Sequence, residues 1–125
     1  MLILPIKKKW FDMILSGEKR EEYREIKPYY TSRFKNIFNM SPYSFIPSGT
    51  DCGQIMFRNG YNKNSPSFIA GCHLDIKTGK PEWGAEPGIN YYTLRIDKII
   101  WKSTDNMEGY IQISRAKRNQ TLGKS

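Results

Sequence analysis

Thiols and soft metal ligands are scarce in this chain of 125 residues, which holds two cysteines, Cys52 and Cys72, and one histidine, His73. Two thiols are too few for a disulfide framework, and in a cytoplasmic protein both are expected to be free. Cys72 and His73 are adjacent, and neighbouring side chains of a strand point to opposite faces, so neither a metal nor another cofactor is expected. Long apolar runs are missing as well. No stretch approaches the roughly 18 apolar residues that a membrane span requires. The opening MLILPIKKKW places its lysines after a short apolar run, whereas a signal peptide needs the charge first and a longer apolar stretch behind it. Neither export nor a membrane partner is expected, and the expected location is cytoplasmic. Acids are few: 12 Asp and Glu stand against 20 Lys and Arg, a net charge of +8. That sign favours a polyanionic partner, RNA or another nucleic acid, and says nothing about the fold.

What is present amounts to one domain, because 38% hydrophobic and 26% charged residues fit a folded chain rather than a disordered one. Residues 1–110 are expected to hold that domain. Residues 111–125 carry Arg115, Lys117, Arg118 and Lys124 with no acid, and read as a basic, flexible tail. Residues 2–6 suit a short strand, with Pro5 at its edge. From Lys7 to Ser16 the apolar positions Trp10, Phe11, Met13, Ile14 and Leu15 recur at helical spacing, and Gly17 supplies the left-handed stop. A charged stretch, 18–27, leads to Pro28. Residues 29–38 read as a second helix with Tyr30, Phe34, Ile37 and Phe38 on one side. The Ser-, Pro- and Gly-rich segment 39–53 reads as a loop. Three strands with period-two patterning follow, over 54–59, 67–76 and 90–101. Phe57, Tyr91 and Trp101 are expected in the core on their strand positions. The sum is an α+β domain, a small, mostly antiparallel barrel with one or two short flanking helices.

Two segments could carry chemistry. Lys7, Lys8 and Lys9 open the first helix, where cations oppose the helix dipole. They read either as an anion site formed with the free N–H groups or as three solvated lysines. In the stretch 20–26, charges fall on both faces of a strand, with Arg20, Glu22 and Arg24 on one and Glu21 and Glu25 on the other. Buried charges need partners, so one face is expected to be solvated or to line a polar cleft. Lys19, Glu22 and Arg24 can then form a cluster that holds an anionic or planar ligand, or an exposed ion-pair ladder of little consequence.

With its first strand, Lys7, the amphipathic helix and Gly17-Glu18-Lys19-Arg20-Glu21-Glu22-Tyr23-Arg24, the chain resembles the ASCH domain family. The signature of that family is a Gly-x-Lys-x-x-x-x-Arg turn and strand after the first helix. The run Ile26-Lys27-Pro28-Tyr29-Tyr30 with Arg33, and the loop Glu82-Trp83-Gly84-Ala85, fit the same resemblance, which spans roughly residues 1–101. It implies a PUA-like barrel, a fold that commonly binds RNA, with a cleft at Lys19, Glu22 and Arg24. Some small family members are amidohydrolases on acetylated cytidine and use a Thr nucleophile beside the motif Lys; others are reported as ribonucleases. Here Glu22 occupies the place of that Thr, and a carboxylate cannot take over a hydroxyl's acyl-transfer role.

The reading that follows is a nucleic-acid-binding protein with a charged cleft for phosphate or nucleobase. Lys7, Lys19, Glu22, Arg24, Arg33 and Arg58 would supply the polar contacts, and Tyr30 or Trp83 the stacking surface. One alternative is a hydrolase on a modified nucleoside or on RNA, with Lys19 and either Glu22 or Glu82 as acid and base. Another is a protein-interaction factor of a mobile element.

Overall fold

A computed structural model describes residues 1–38 and 48–103, the side chains of 48–51 excepted. Five strands and two helices appear in the order β1 (Ile3–Ile6), α1 (Lys8–Leu15), β2 (Glu21–Arg24), α2 (Pro28–Phe38), β3 (Ser48–Asn59), β4 (Ser67–Thr78) and β5 (Asn90–Lys102). A single 3-10 turn, Pro81–Trp83, interrupts the last connection. The strands form one sheet in the order β1-β3-β4-β5-β2, with β1 parallel to β3 and every other pair antiparallel. The sheet curls into a half-barrel, giving a small α+β domain of the class expected. Among the described residues no helix is long and apolar enough to cross a membrane. The proposed tail, 111–125, lies outside the described residues, as does most of the 39–53 segment.

The core follows from strict alternation. Phe68, Ala70, Cys72 and Leu74 of β4 are fully buried, and Ile55 and Phe57 of β3 with Tyr92 and Leu94 of β5 continue the same layer. Both helices cover it: Phe11 and Ile14 from α1, Phe34 and Phe38 from α2. The Phe34 ring meets Tyr92 edge-on, with 5.2 Å between centroids. Pro28 opens α2 at a position where its missing N–H costs nothing.

Two expectations need correction. The strand expected from Gln54 begins at Ser48, because the 12-residue β4 offers a partner that far out and pairs His73 with Cys52. The glycine that suggested a loop serves close packing instead: a Cβ on Gly53 would lie 2.7 Å from Ile37 Cγ2. Tyr91 and Trp101 are only partly buried, since the alternation hands the core position to Tyr92. Of the two alternatives for the charged faces of β2, the polar cleft is the one observed: Glu21 and Glu22 are buried, and Glu22 and Arg24 border a cavity.

Cys52 and Cys72 are free thiols, the first exposed and the second buried. Burial, with the Asp97 charge adding to it, pushes the Cys72 thiol from 9.0 up to about 12. A folded-state value above the unfolded one stabilises fully below pH 9, and that contribution is lost as pH climbs toward 12. Between pH of about 8 and 10.5, wild type should therefore lose about 2 kcal/mol more than Cys72→Ala, at ~1.4 kcal/mol per unit. Urea unfolding at the two pH values measures it; equal losses would show that the folded thiol ionises as readily as the unfolded one and that burial does not raise it.

Candidate functional site

The site begins at the end of α1. Gly17 adopts φ 84° and reverses the chain, so that the Lys19 N–H donates to the Met13 carbonyl at 2.9 Å. Lys19 is thereby held under the sheet edge with its side chain wholly out of solvent. Its ammonium donates to Glu22 Oε1 at 2.9 Å and to the Trp83 carbonyl at 2.7 Å, and lies 4.1 Å from the centre of the Trp10 ring. Burial lowers the Lys19 pKa from 10.5, and outweighs the opposing pull of Glu22.

Glu22 is shared. Its Oε1 also accepts the Tyr23 N–H, and its Oε2 lies 3.5 Å from Arg24 Nη1. Arg24 in turn donates from Nη1 to the Tyr23 carbonyl at 2.8 Å and from Nη2 to the Pro5 carbonyl at 3.0 Å. β1 and β2 are the two edges of the sheet. The guanidinium therefore spans the gap that the ladder leaves open.

Around this cluster lies a cavity of about 580 Å³, within the usual ~300–1,000 Å³ of small-molecule sites. Three cations (Lys7, Arg24, Lys27) and three carboxylates (Glu22, Glu25, Glu86) border it, together with the rings of Trp10, Tyr23, Tyr30, Tyr61, Trp83 and Tyr91. The walls are thus aromatic and their charge is balanced. Gly84 makes the enclosure possible: at φ 100° it admits Trp10 so closely that a Cβ would stand 2.9 Å from Cζ2.

The residues expected at the site divide. Lys7, Glu22, Arg24, Tyr30 and Trp83 border the cavity. Lys19 stands behind Glu22 and does not reach the cavity wall. Glu82 does not meet Lys19; the same loop arrives, but through the main-chain carbonyl of Trp83. Arg33 is half-buried and caps the Tyr29 ring at 3.5 Å, and Arg58 lies opposite Pro5 in the β1–β3 pair; neither borders the cavity. The three lysines part company. Only Lys7 borders the cavity, Lys8 pairs with Asp12 at 2.6 Å, and Lys9 rests over Trp10. Thr31 shares a hydrogen bond with the Tyr92 hydroxyl and belongs to the packing of α2. His73 Nδ1 faces the Asp97 carboxylate on the sheet.

Trp10, Lys27 and Tyr91 were not singled out as site residues by sequence. Trp10 carried a usable signal: it sits at the margin of a helical stripe already filled by Phe11 and Ile14. The chain matches no protein-family model, no curated protein and no solved structure.

Proposed function

We propose that this protein binds nucleic acid by taking a nucleobase into the cavity beside Glu22 and Arg24. One observation carries the reading: the cavity wall combines six aromatic rings with three cations and three carboxylates. A phosphate would need a surplus of cations, which this wall does not offer. A base offers a π-face for the rings and a mixed donor and acceptor edge for the carboxylates and guanidinium. Of the sequence's two alternatives for this cleft, the nucleobase is therefore preferred over the phosphate. The size suits a nucleoside unit, and the resemblance to ASCH domains of the PUA-like group supports the same assignment.

Hydrolysis has less support. Of Lys19, Glu22 and Glu82, only Glu22 borders the cavity, so a substrate would meet one of the three residues the reaction was expected to use and not the lysine.

Trp10 and Trp83 both border the cavity, so ligand entry should quench the tryptophan fluorescence. Titration with the free ribonucleosides is expected to saturate in wild type. Tyr30→Leu, which keeps contact with Phe34 but removes the ring, should weaken binding about tenfold, the usual scale of one base stack. If no nucleoside, base or mononucleotide gives a saturable change, the cavity does not hold a base.

A further inference from the structure

We infer that a second groove, sharing the Trp83 wall, holds the phosphates that flank the bound base, so that the ligand is a single strand rather than a free nucleoside. The inference rests on the base-binding reading of the first cavity and deepens it.

The second cavity has a volume of about 470 Å³ and is bordered by Arg20, Lys77, Lys80 and Arg95 against Glu21 and Asp97. Trp83 borders both cavities. The contrast in charge is the main observation. The first wall is neutral, three against three, whereas the second holds four cations to two acids. Two of those cations are already engaged: Lys77 pairs with Glu21 at 2.5 Å, and Arg95 Nε lies 3.6 Å from Asp97. Arg20 and Lys80 have no carboxylate partner among the described residues. The surplus charge of the groove therefore resides on these two side chains.

Lys80 is held over the Trp83 ring, 4.3 Å from its centre. A cation over a ring keeps its three N–H donors available, and an anion can accept from them. The wall itself is fixed, because the Trp83 carbonyl takes the Lys19 hydrogen bond and the Gly84 N–H donates back to Pro81 at 3.0 Å. A pre-formed wall avoids the ordering cost of binding. A polar, neutral, ring-lined cavity and a cation-rich groove on one shared tryptophan match the two halves of a nucleotide chain. A duplex would not fit, since its bases are stacked and paired away from such a cavity.

The test is fluorescence anisotropy of the full chain with a short single-stranded RNA between about 50 and 200 mM salt. Wild type, Arg20→Gln/Lys80→Gln and a control removing two exposed charges that border neither cavity, Lys8→Gln/Lys63→Gln, are compared. Two lost phosphate contacts should make the salt slope shallower by about 1.4, at ~0.7 per contact, and weaken low-salt binding more than tenfold. The control should stay within about twofold, and free-nucleoside affinity should not change in the groove variant. Equal slopes in wild type and the groove variant, an equal loss in the control, or no RNA binding by wild type would each overturn the groove. Nucleoside binding that persists in those cases leaves the cavity reading standing. A groove effect on RNA without any nucleoside binding would instead sink the cavity reading and keep the groove.

Discussion

Lys19→Ala is expected to destabilise the fold by about 3–5 kcal/mol, the usual consequence of removing one partner from a buried ion pair. The Lys19 side chain is fully buried and that of Glu22 is 5% exposed. Removing the ammonium leaves a buried carboxylate supported by Arg24 at 3.5 Å, an orphaned Trp83 carbonyl and a void beneath Trp10. Replacing both partners, as in Lys19→Met/Glu22→Gln, should recover more than half of the loss, because an apolar stem beside a neutral amide leaves no uncompensated charge. Urea unfolding followed by tryptophan fluorescence reads both. A Lys19→Ala midpoint equal to wild type would mean that the pair contributes nothing to the fold. The pH dependence has a definite sign. The Lys19 pKa is lowered in the folded state, so the unfolded chain binds the extra proton and stability rises with pH from the lowered value toward 10.5. Lys19→Met should lack that rise. A weaker ligand affinity in Lys19→Ala would therefore report a damaged site as much as a lost contact, which makes Tyr30 and Arg20/Lys80 the better probes of binding.

Arg24→Met is expected to cost about 2–4 kcal/mol and to abolish nucleoside binding. Its guanidinium is 13% exposed and donates to main-chain carbonyls on both edge strands while facing Glu22. Hydrogen bonds from a charged donor contribute about 1.5–3 kcal/mol each. Without them the Pro5 carbonyl loses its partner and the two edges are free to separate. Faster hydrogen exchange at β1 and β2, with β4 unchanged, is the expected signature. Arg24→Lys should not restore wild-type behaviour, since a single ammonium lacks the planar fork that reaches two carbonyls at once. Wild-type exchange in Arg24→Lys would show that charge alone suffices.

Much of the frame was legible in the sequence because it rests on local chemistry. The stripe of Phe11 and Ile14 with Gly17 behind it marks α1, and alternation marks β4 and β5. The Gly17–Arg24 segment was recognisable as the place where charge would cluster. The burial of Lys19 was not, since it depends on a main-chain carbonyl contributed 64 residues later, and carbonyls leave no trace in a sequence. The start of β3 was hidden for a related reason: Gly53 looks like a loop residue until α2 packs onto it. Tyr91 and Tyr92 are the same residue type, and only the register decides which of them reaches the core. Glu82 and Trp83 show the same limit, because proximity to Lys19 was foreseeable for the loop but the atom that makes the contact was not.

The strand order also governs when the site can exist. β1 and β2 emerge first from the ribosome, yet each pairs with a strand made much later, Ile3 with Met56 and Glu21 with Arg95. Contacts so distant in sequence form slowly, whereas β3, β4 and β5 join as a meander of neighbours. β2 has no strand partner until β5 exists, and the Trp83 carbonyl that Lys19 meets lies just ahead of β5 in the chain. Nascent chains that stop short of β5 are therefore synthesised with every site residue of the first thirty and no site.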